Sequence, residues 1–320
     1  MNALKTTFLQ QIAKEANINE FTAQLQYWAF MYRFDPDFEE YPMTHRSTNK
    51  TIANLVDQKI KGKCQRTIDP TISTVNRKIR NSFAREIQSA GIPLECLTRN
   101  RDDGRPANEE DQPWRVVFEW LWSFKYITWV EDYIWNQWKQ AATPNNQWID
   151  FSDGAKGLKI PAPEATPILP KDTPLSVRIN INKPGSYLLL FNRGLKIPTE
   201  ETQEEVMTKY LIAPSQGFAP NSQLTEARML MPQEGSMAAD NNMKFEFDAA
   251  STDEYSVLEE YVAILVDREL DLEWLRPNPS NSVLEWNGKH LEQLWNQLQE
   301  QNIQVFHREF EVQEVKTLVT

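Results

Sequence analysis

The spacing of apolar residues changes once along this chain, and that change constrains the fold more than any single motif. Up to about residue 140 they recur at helical intervals, and beyond about residue 175 they alternate. A helical period buries one stripe of a helix and a period of two buries one face of a strand, so neither pattern is stable as the other. Between them, Ala141 to Pro174 carries prolines at 144, 161, 163, 167, 170 and 174, which reads as an extended linker or a meandering covering strand. The expected fold class is α+β. A helical, winged-helix-like domain over residues 1–140 is followed by a Pro-rich linker over 141–174. An antiparallel β-sandwich with a C-terminal helix and strand then covers 175–320. A chain of 320 residues lets each part bury its own core.

Residues 3–34 read as one or two helices, with Asn19 capping FTAQLQYWAFMYRF and Phe21, Leu25, Trp28 and Tyr32 as its buried stripe. Ile52, Leu55, Val56 and Ile60 mark the next helix, capped by Asn49 or Ser47. Asp69-Pro70 then starts a helix reaching Ser89-Ala90, with Asp69 as N-cap, Pro70 at the first helical position and Gly91 in the left-handed terminal position. The stretch from Ile92 reads as strand pieces flanking a polar Gly/Pro loop, as in a hairpin. A long amphipathic helix follows from Arg115 to Lys139, with Trp120, Phe124, Ile127 and Ile134 as its stripe. Beyond the linker, SVRININ, SYLLLFN, KYLIAPS, ARMLMP, MKFEFDA and EYVAILVD read as strands, about six to eight in an antiparallel arrangement. The helix EWNGKHLEQLWNQLQEQ and the strand VFHREFEVQEV end the chain.

Charge is unevenly distributed. Residues 45–105 hold thirteen Lys/Arg and six Asp/Glu, a formal +7, whereas the whole chain is at -11 and the remainder therefore at -18. A basic island in an acidic chain points to an anionic partner for one domain. Within it, Ile72, Val75, Ile79 and Phe83 share one side of the helix beginning at Asp69. Thr74, Arg77, Lys78, Asn81 and Arg85 share the other, with Ser73 and Arg80 at the margins. Arg and Asn read guanine and adenine edges in a major groove, and Ser and Thr contact backbone phosphates. Helix, connector, basic helix, hairpin is the order of a winged helix-turn-helix, which sets Arg99, Arg101 and Arg105 at or beside the wing tip. The bland reading of the same residues is a solvated helix face; a third is docking onto an acidic protein surface, this chain's own included.

Seven of eleven Trp fall between residues 114 and 148. So many aromatics on one helix imply two covering layers, or a surface for a protein partner or a second copy of the chain. Cys64 and Cys96 are too few for a disulfide framework or a Cys-only zinc site and read as reduced packing residues of a cytoplasmic protein. The N-terminus lacks the apolar run of a secretory signal, and no run of about 18 uncharged apolar residues suggests a membrane span. His45, His290 and His307 show no metal-ligand spacing, and a Cys64–His45 nucleophilic pair has no local support. G-x-x-x-x-G-K-S/T, G-x-G-x-x-G and G-x-S-x-G strings are all missing from the sequence. The acidic runs 199–206 and 109–112 lack the glycine and spacing of a calcium loop. No enzyme and no cofactor is expected.

LIAPSQGFAPNSQL (211–224) and VAILVDRELDLEWLRPNP (262–279), with YLLLFN and L-M-P-Q-x-G, resemble a bacterial, largely cyanobacterial, domain of unknown function. That domain is found joined to caspase-like peptidases and to signalling or regulatory modules. The resemblance covers roughly residues 173–315 and implies a β-sandwich accessory module; no catalytic residues are defined for it, so none carry over. Read from the residues alone, Pro214 and Pro220 end strands, while Ser215 and Asn221 bond their own turns. The reading that combines these parts is a non-enzymatic DNA-binding regulator with a β-sandwich sensing or interaction domain. The alternative is a protein-interaction adaptor of a bacterial signalling, proteolytic or defence system that touches no DNA.

Overall fold

A computed structural model describes residues 3–38, 45–61, 68–97, 112–145, 147–153, 166–199 and 204–314, with the side chains of 45–48 excepted. The fold is mixed α+β, and the chain divides into two compact units, Met1–Val130 and Glu131–Thr320.

The first unit is helical: α1 (Ala3–Glu15), α2 (Gln24–Arg33), α3 (His45–Ile60), α4 (Asp69–Ser82), α5 (Ala84–Ser89), a 3-10 turn (Leu94–Leu97) and α6 (Pro113–Trp120). A π-helical turn (Leu121–Lys125) leads from α6 into α7 (Tyr126–Ala141). Helix α2 packs against both α3 and α4, and α4 also packs against α6. The α4 stripe itself is as expected, with Ile72, Val75, Ile79 and Phe83 all buried. Burying four such side chains contributes roughly 1.5–3 kcal/mol each.

Several local expectations are corrected. The buried face of α2 is Tyr27, Phe30, Met31 and Phe34, while Phe21 is 86% exposed. Asn19 explains the difference: its Oδ1 accepts from the backbone N–H of Phe21 and Thr22, closing a turn ahead of the helix and leaving Phe21 outside it. Asp69 does not cap α4. Ile68 takes the N-cap position, and the Asp69 carboxylate accepts a hydrogen bond from Asn49 Nδ2 at 2.7 Å, so Asn49 is a tether between α3 and α4 and not a cap. The expected single helix from Asp69 to Ala90 breaks at Phe83 (φ -115°, ψ 23°). Gly91, at φ +78°, closes α5 as expected.

The long Trp-rich helix is interrupted by its π-turn, where the Tyr126 N–H reaches back to Leu121 O. Buried positions run Val117, Leu121, Tyr126, Val130, with one five-residue step at that turn. A constant helical angle therefore puts the stripe in the wrong place, and Phe124 is 50% exposed. No strand occurs in residues 92–97; the 3-10 turn stands where the first wing strand was expected, and the rest of the wing lies outside the described residues.

The described residues of the second unit form nine strands in two sheets. Strands β1 (Ile149–Ser152), β3 (Ser176–Ile179) and β6 (Met229–Met231) make the smaller, in the order β1-β3-β6. The larger joins β2 (Ile168–Pro170), β4 (Tyr187–Pro198), β5 (Glu205–Ala213), β7 (Tyr255–Val266), β8 (Leu284–Glu285) and β9 (Ile303–Gln313), in the order β2-β9-β7-β4-β5-β8. All pairs are antiparallel except β2–β9, which is parallel, a departure from the all-antiparallel expectation. Two strands of the expected linker, β1 and β2, thus enter the sheets. MKFEFDA makes only an isolated bridge, Leu175↔Phe245, and no strand.

The two sheets share one core, in which Phe151, Val177, Ile179 and Met231 of the smaller meet Leu190, Tyr261, Ala263 and Phe306 of the larger. On the other face of the large sheet Trp138 stacks on Phe191 at 5.6 Å, and Trp135 on Trp286 at 5.4 Å. Helix α8 (Met237–Asp240) and a 3-10 turn (Glu273–Leu275) lie in the connections, and α9 (Gly288–Leu298) precedes β9. As expected, Ser215 Oγ bonds its own turn, accepting from Phe218 N and donating to Ile212 O, and Asn221 Oδ1 accepts from Gln223 N.

Candidate nucleic-acid interface

Four residues of the candidate surface, Ser73, Arg77, Asn81 and Arg85, are exposed. The first three sit one helical turn apart along α4, and Arg85 lies beyond the Phe83 break on α5. Thr74 and Arg80 are half-buried: Thr74 Oγ1 donates to Pro70 O at 2.9 Å, and the Arg80 guanidinium lies 3.4 Å from Asn81 Oδ1. Lys78 is directed inward in function, since its Nζ donates to the carbonyl of Asn17 at 2.7 Å and ties α4 to the turn after α1. Asn17 has φ 53°, so Lys78 anchors a left-handed turn. Arg99, Arg101 and Arg105 lie outside the described residues.

Arg77, Arg80 and Arg85 form no ion pair with a described carboxylate, whereas Lys125 of the same unit bonds Glu86 at 2.5 Å. The face is backed by the buried Ile72, Val75 and Ile79, which fix the helix axis behind its exposed cations. An exposed helix face carrying unpaired guanidinium groups together with Ser and Asn suits phosphate oxygens.

The Trp side chains of the first unit serve packing. Phe8 is ringed by Trp122, Tyr126 and Trp129 with centroids 5.2–5.3 Å away. Trp122 Nε1 donates to Phe34 O and Trp129 Nε1 to Gln11 Oε1.

The histidines resolve differently from the sequence reading. Asn287 caps α9, and His290 completes the cap by accepting the Asn287 N–H on Nδ1 at 3.2 Å; burial lowers its pKa. His307 does sit among carboxylates: its Nε2 lies 3.7 Å from both Glu260 and Glu309. Those two glutamates face each other directly across β7 and β9, a like-charge pair that a sheet does not tolerate without a cation. Lys139 of α7 supplies it, with Nζ on both carboxylates, while Trp135 Nε1 donates to the second oxygen of Glu260. Three ligand atoms of this group lie within 4.8 Å of one another, but the Lys139 ammonium already takes the place a metal ion would fill. Burial pushes the Glu260 carboxyl up, and His307 and Lys139 outweigh it, bringing it to about 2. The one sequence signal for this group was His307 and Glu309 two apart on one strand face; Glu260 and Lys139 are too distant in sequence to show it. Cys64 and the side chain of His45 lie outside the described residues, as do the acidic runs apart from Gln112, Thr199 and Glu204–Val206.

No protein-family model matches the chain, and no curated protein matches it in sequence. Among the described residues no helix is long and apolar enough to cross a membrane.

Proposed function

We propose that the helical unit holds duplex DNA on the outward face of α4 and α5, in a winged-helix-like manner, and that the β-rich unit, a sandwich, is the sensing or interaction part of a non-enzymatic regulator. One observation carries this reading: Arg77, Arg80 and Arg85 lack a described carboxylate partner on a face whose reverse side is firmly buried. Ser73, Arg77 and Asn81 would meet phosphates and base edges along one helix side. The likeness of residues 173–315 to an accessory domain of regulatory proteins supports the second half of the proposal.

A rival reading is favoured by a different observation. The break at Phe83 and the 3-10 turn in place of a wing strand suit a docking face for an acidic protein surface better than a rod lying in a groove. Electrophoretic shift of short mixed-sequence duplexes by the full chain at low salt separates the two. The DNA reading expects a shift that Arg77→Ala with Arg85→Ala removes while the melting temperature holds. A chain that shifts no duplex leaves the adaptor reading in possession.

A further inference from the structure

The large sheet of the β-rich unit carries a short polar row on its largely apolar inner face, which also holds Arg308 opposite Tyr261, its guanidinium donating to Ile149 O of the smaller sheet. Gly194 of β4 pairs with Thr208 of β5 on one side and Glu259 of β7 on the other. One pair further along, Asn192 lies between Tyr210 and Tyr261. Toward Leu190 and Ala263 the same face is covered by the shared core, but at Asn192, Thr208 and Glu259 it lines a cleft of about 1030 Å³. Phe218, Phe245 and Phe247 stand among its walls, with the Phe218 and Phe245 rings stacked at 4.1 Å. A concave site of this size, lined by apolar and aromatic side chains with polar groups among them, is the usual form of a small-molecule pocket.

Glu259 is the group that calls for a ligand. It is only 8% exposed, and its one described hydrogen-bond partner is Asn192, whose Nδ2 donates to Oε2 at 2.6 Å. No described Lys, Arg or His forms an ion pair with it. The contrast with Glu260 is direct, since that neighbour is met by an ammonium, an indole N–H and an imidazole. A carboxyl held in a pocket with half its acceptor capacity open is costly to keep ionised unless a cation arrives. Gly194 keeps the approach clear: a Cβ there would come 2.4 Å from Thr208 Oγ1 and 3.1 Å from Glu259 Oε1. Two further carboxylates, Glu246 and Asp248, line the cleft against one cation, Lys244.

We propose that this cleft binds a small organic cation, an amine or guanidinium on an apolar body, with the charged head on Glu259 and Thr208 and the body against the aromatic walls. Aromatic faces and a buried carboxylate together select for positive charge joined to hydrocarbon. The site owes nothing to the basic face of α4, and either assignment stands without the other.

The test is calorimetric titration of the full chain with three probes of one shape: phenethylamine, 2-phenylethanol and phenylacetate. The amine should bind at least tenfold more tightly than the alcohol, and the acid should not bind. Glu259→Gln keeps the shape and the contact with Asn192, so the chain should stay folded by melting curve and lose at least tenfold in amine affinity. Gly194→Ala should weaken the amine as well, whereas Arg77→Ala with Arg85→Ala should leave it unchanged whatever becomes of duplex binding. The proposal is overturned if the alcohol binds as well as the amine, which would make the occupant a neutral hydrogen-bonding molecule. Parental affinity in Glu259→Gln, or no heat from the amine at millimolar concentration, overturns it equally.

Discussion

Glu259 and Glu260 are consecutive in β7, and because strand side chains alternate, their carboxyls lie on opposite faces of the sheet in opposite electrostatic circumstances. Burial lifts Glu259 to about 7, with only the Asn192 hydrogen bond opposing. Its folded value lies above the ordinary 4.5, so its stabilising contribution is whole below pH 4.5 and disappears as pH rises through 7. The full swing is roughly 3 kcal/mol at about 1.4 kcal/mol per pH unit. Glu259→Gln should therefore flatten this part of the stability–pH curve and make the chain more stable than its parent at pH 8, as denaturant titrations at several pH values would show. Glu260 has the reverse sign, because its folded value is depressed. Its contribution is present above the ordinary 4.5 and is lost only as pH falls toward about 2. Lys139→Met would leave Glu260 and Glu309 facing each other without their cation. The loss should be about 2–3 kcal/mol near neutral pH, below the ~3–5 of a fully enclosed pair because Lys139 keeps 30% of its side chain in solvent.

At the level of elements, periodicity in the sequence made α4, β4, β7, α9 and β9 legible, since each carries a long run with one consistent period. What stayed hidden are the places where geometry departs from that period. The π-turn at Leu121–Lys125 inserts one residue into the helical count and rotates everything after it, which is why Phe124 reads as core and is not. Deleting Ser123, an exposed residue of that turn, should restore ordinary helical winding and keep Leu121, Tyr126 and Val130 on one stripe, now at four-residue steps. Chemical denaturation should then show little loss of stability, whereas deleting Thr128, which lies beyond the π-turn, should swing Val130 off the stripe and cost much more. The break at Phe83 and the turn at Asn19 were likewise invisible, because the first is a local change of backbone conformation and the second a side-chain-to-backbone turn, and neither alters the apolar period. MKFEFDA alternates like a strand, yet Phe245 and Phe247 are buried from a loop that makes one bridge. The basic face could be read from the sequence because its residues are neighbours along one helix. The Glu259 cleft could not, because Asn192, Thr208 and Glu259 come from three strands and meet only through register. The available hint was polar residues inside apolar strand runs, in YLLLFNRG and in LEEYVAIL.

Across the whole molecule the charge division matters most for the proposed role, with +7 between residues 45 and 105 and -18 elsewhere. If the helical unit grips duplex DNA, affinity should fall linearly on logarithmic axes with salt, by a slope of about 0.9 per phosphate neutralised. The variant lacking Arg77 and Arg85 should show a slope smaller by about two, measured by fluorescence anisotropy at several ionic strengths. A docking surface for protein would show a shallower dependence and no preference for polynucleotide. The bare backbone at position 194 carries a consequence for the ancestry of this chain. With so little room between strands, Gly194 and Thr208 are sterically coupled, so relatives bearing a larger residue at the first site are expected to carry something smaller than threonine at the second. Lineages that made this trade would have closed the notch and abandoned whatever it once admitted.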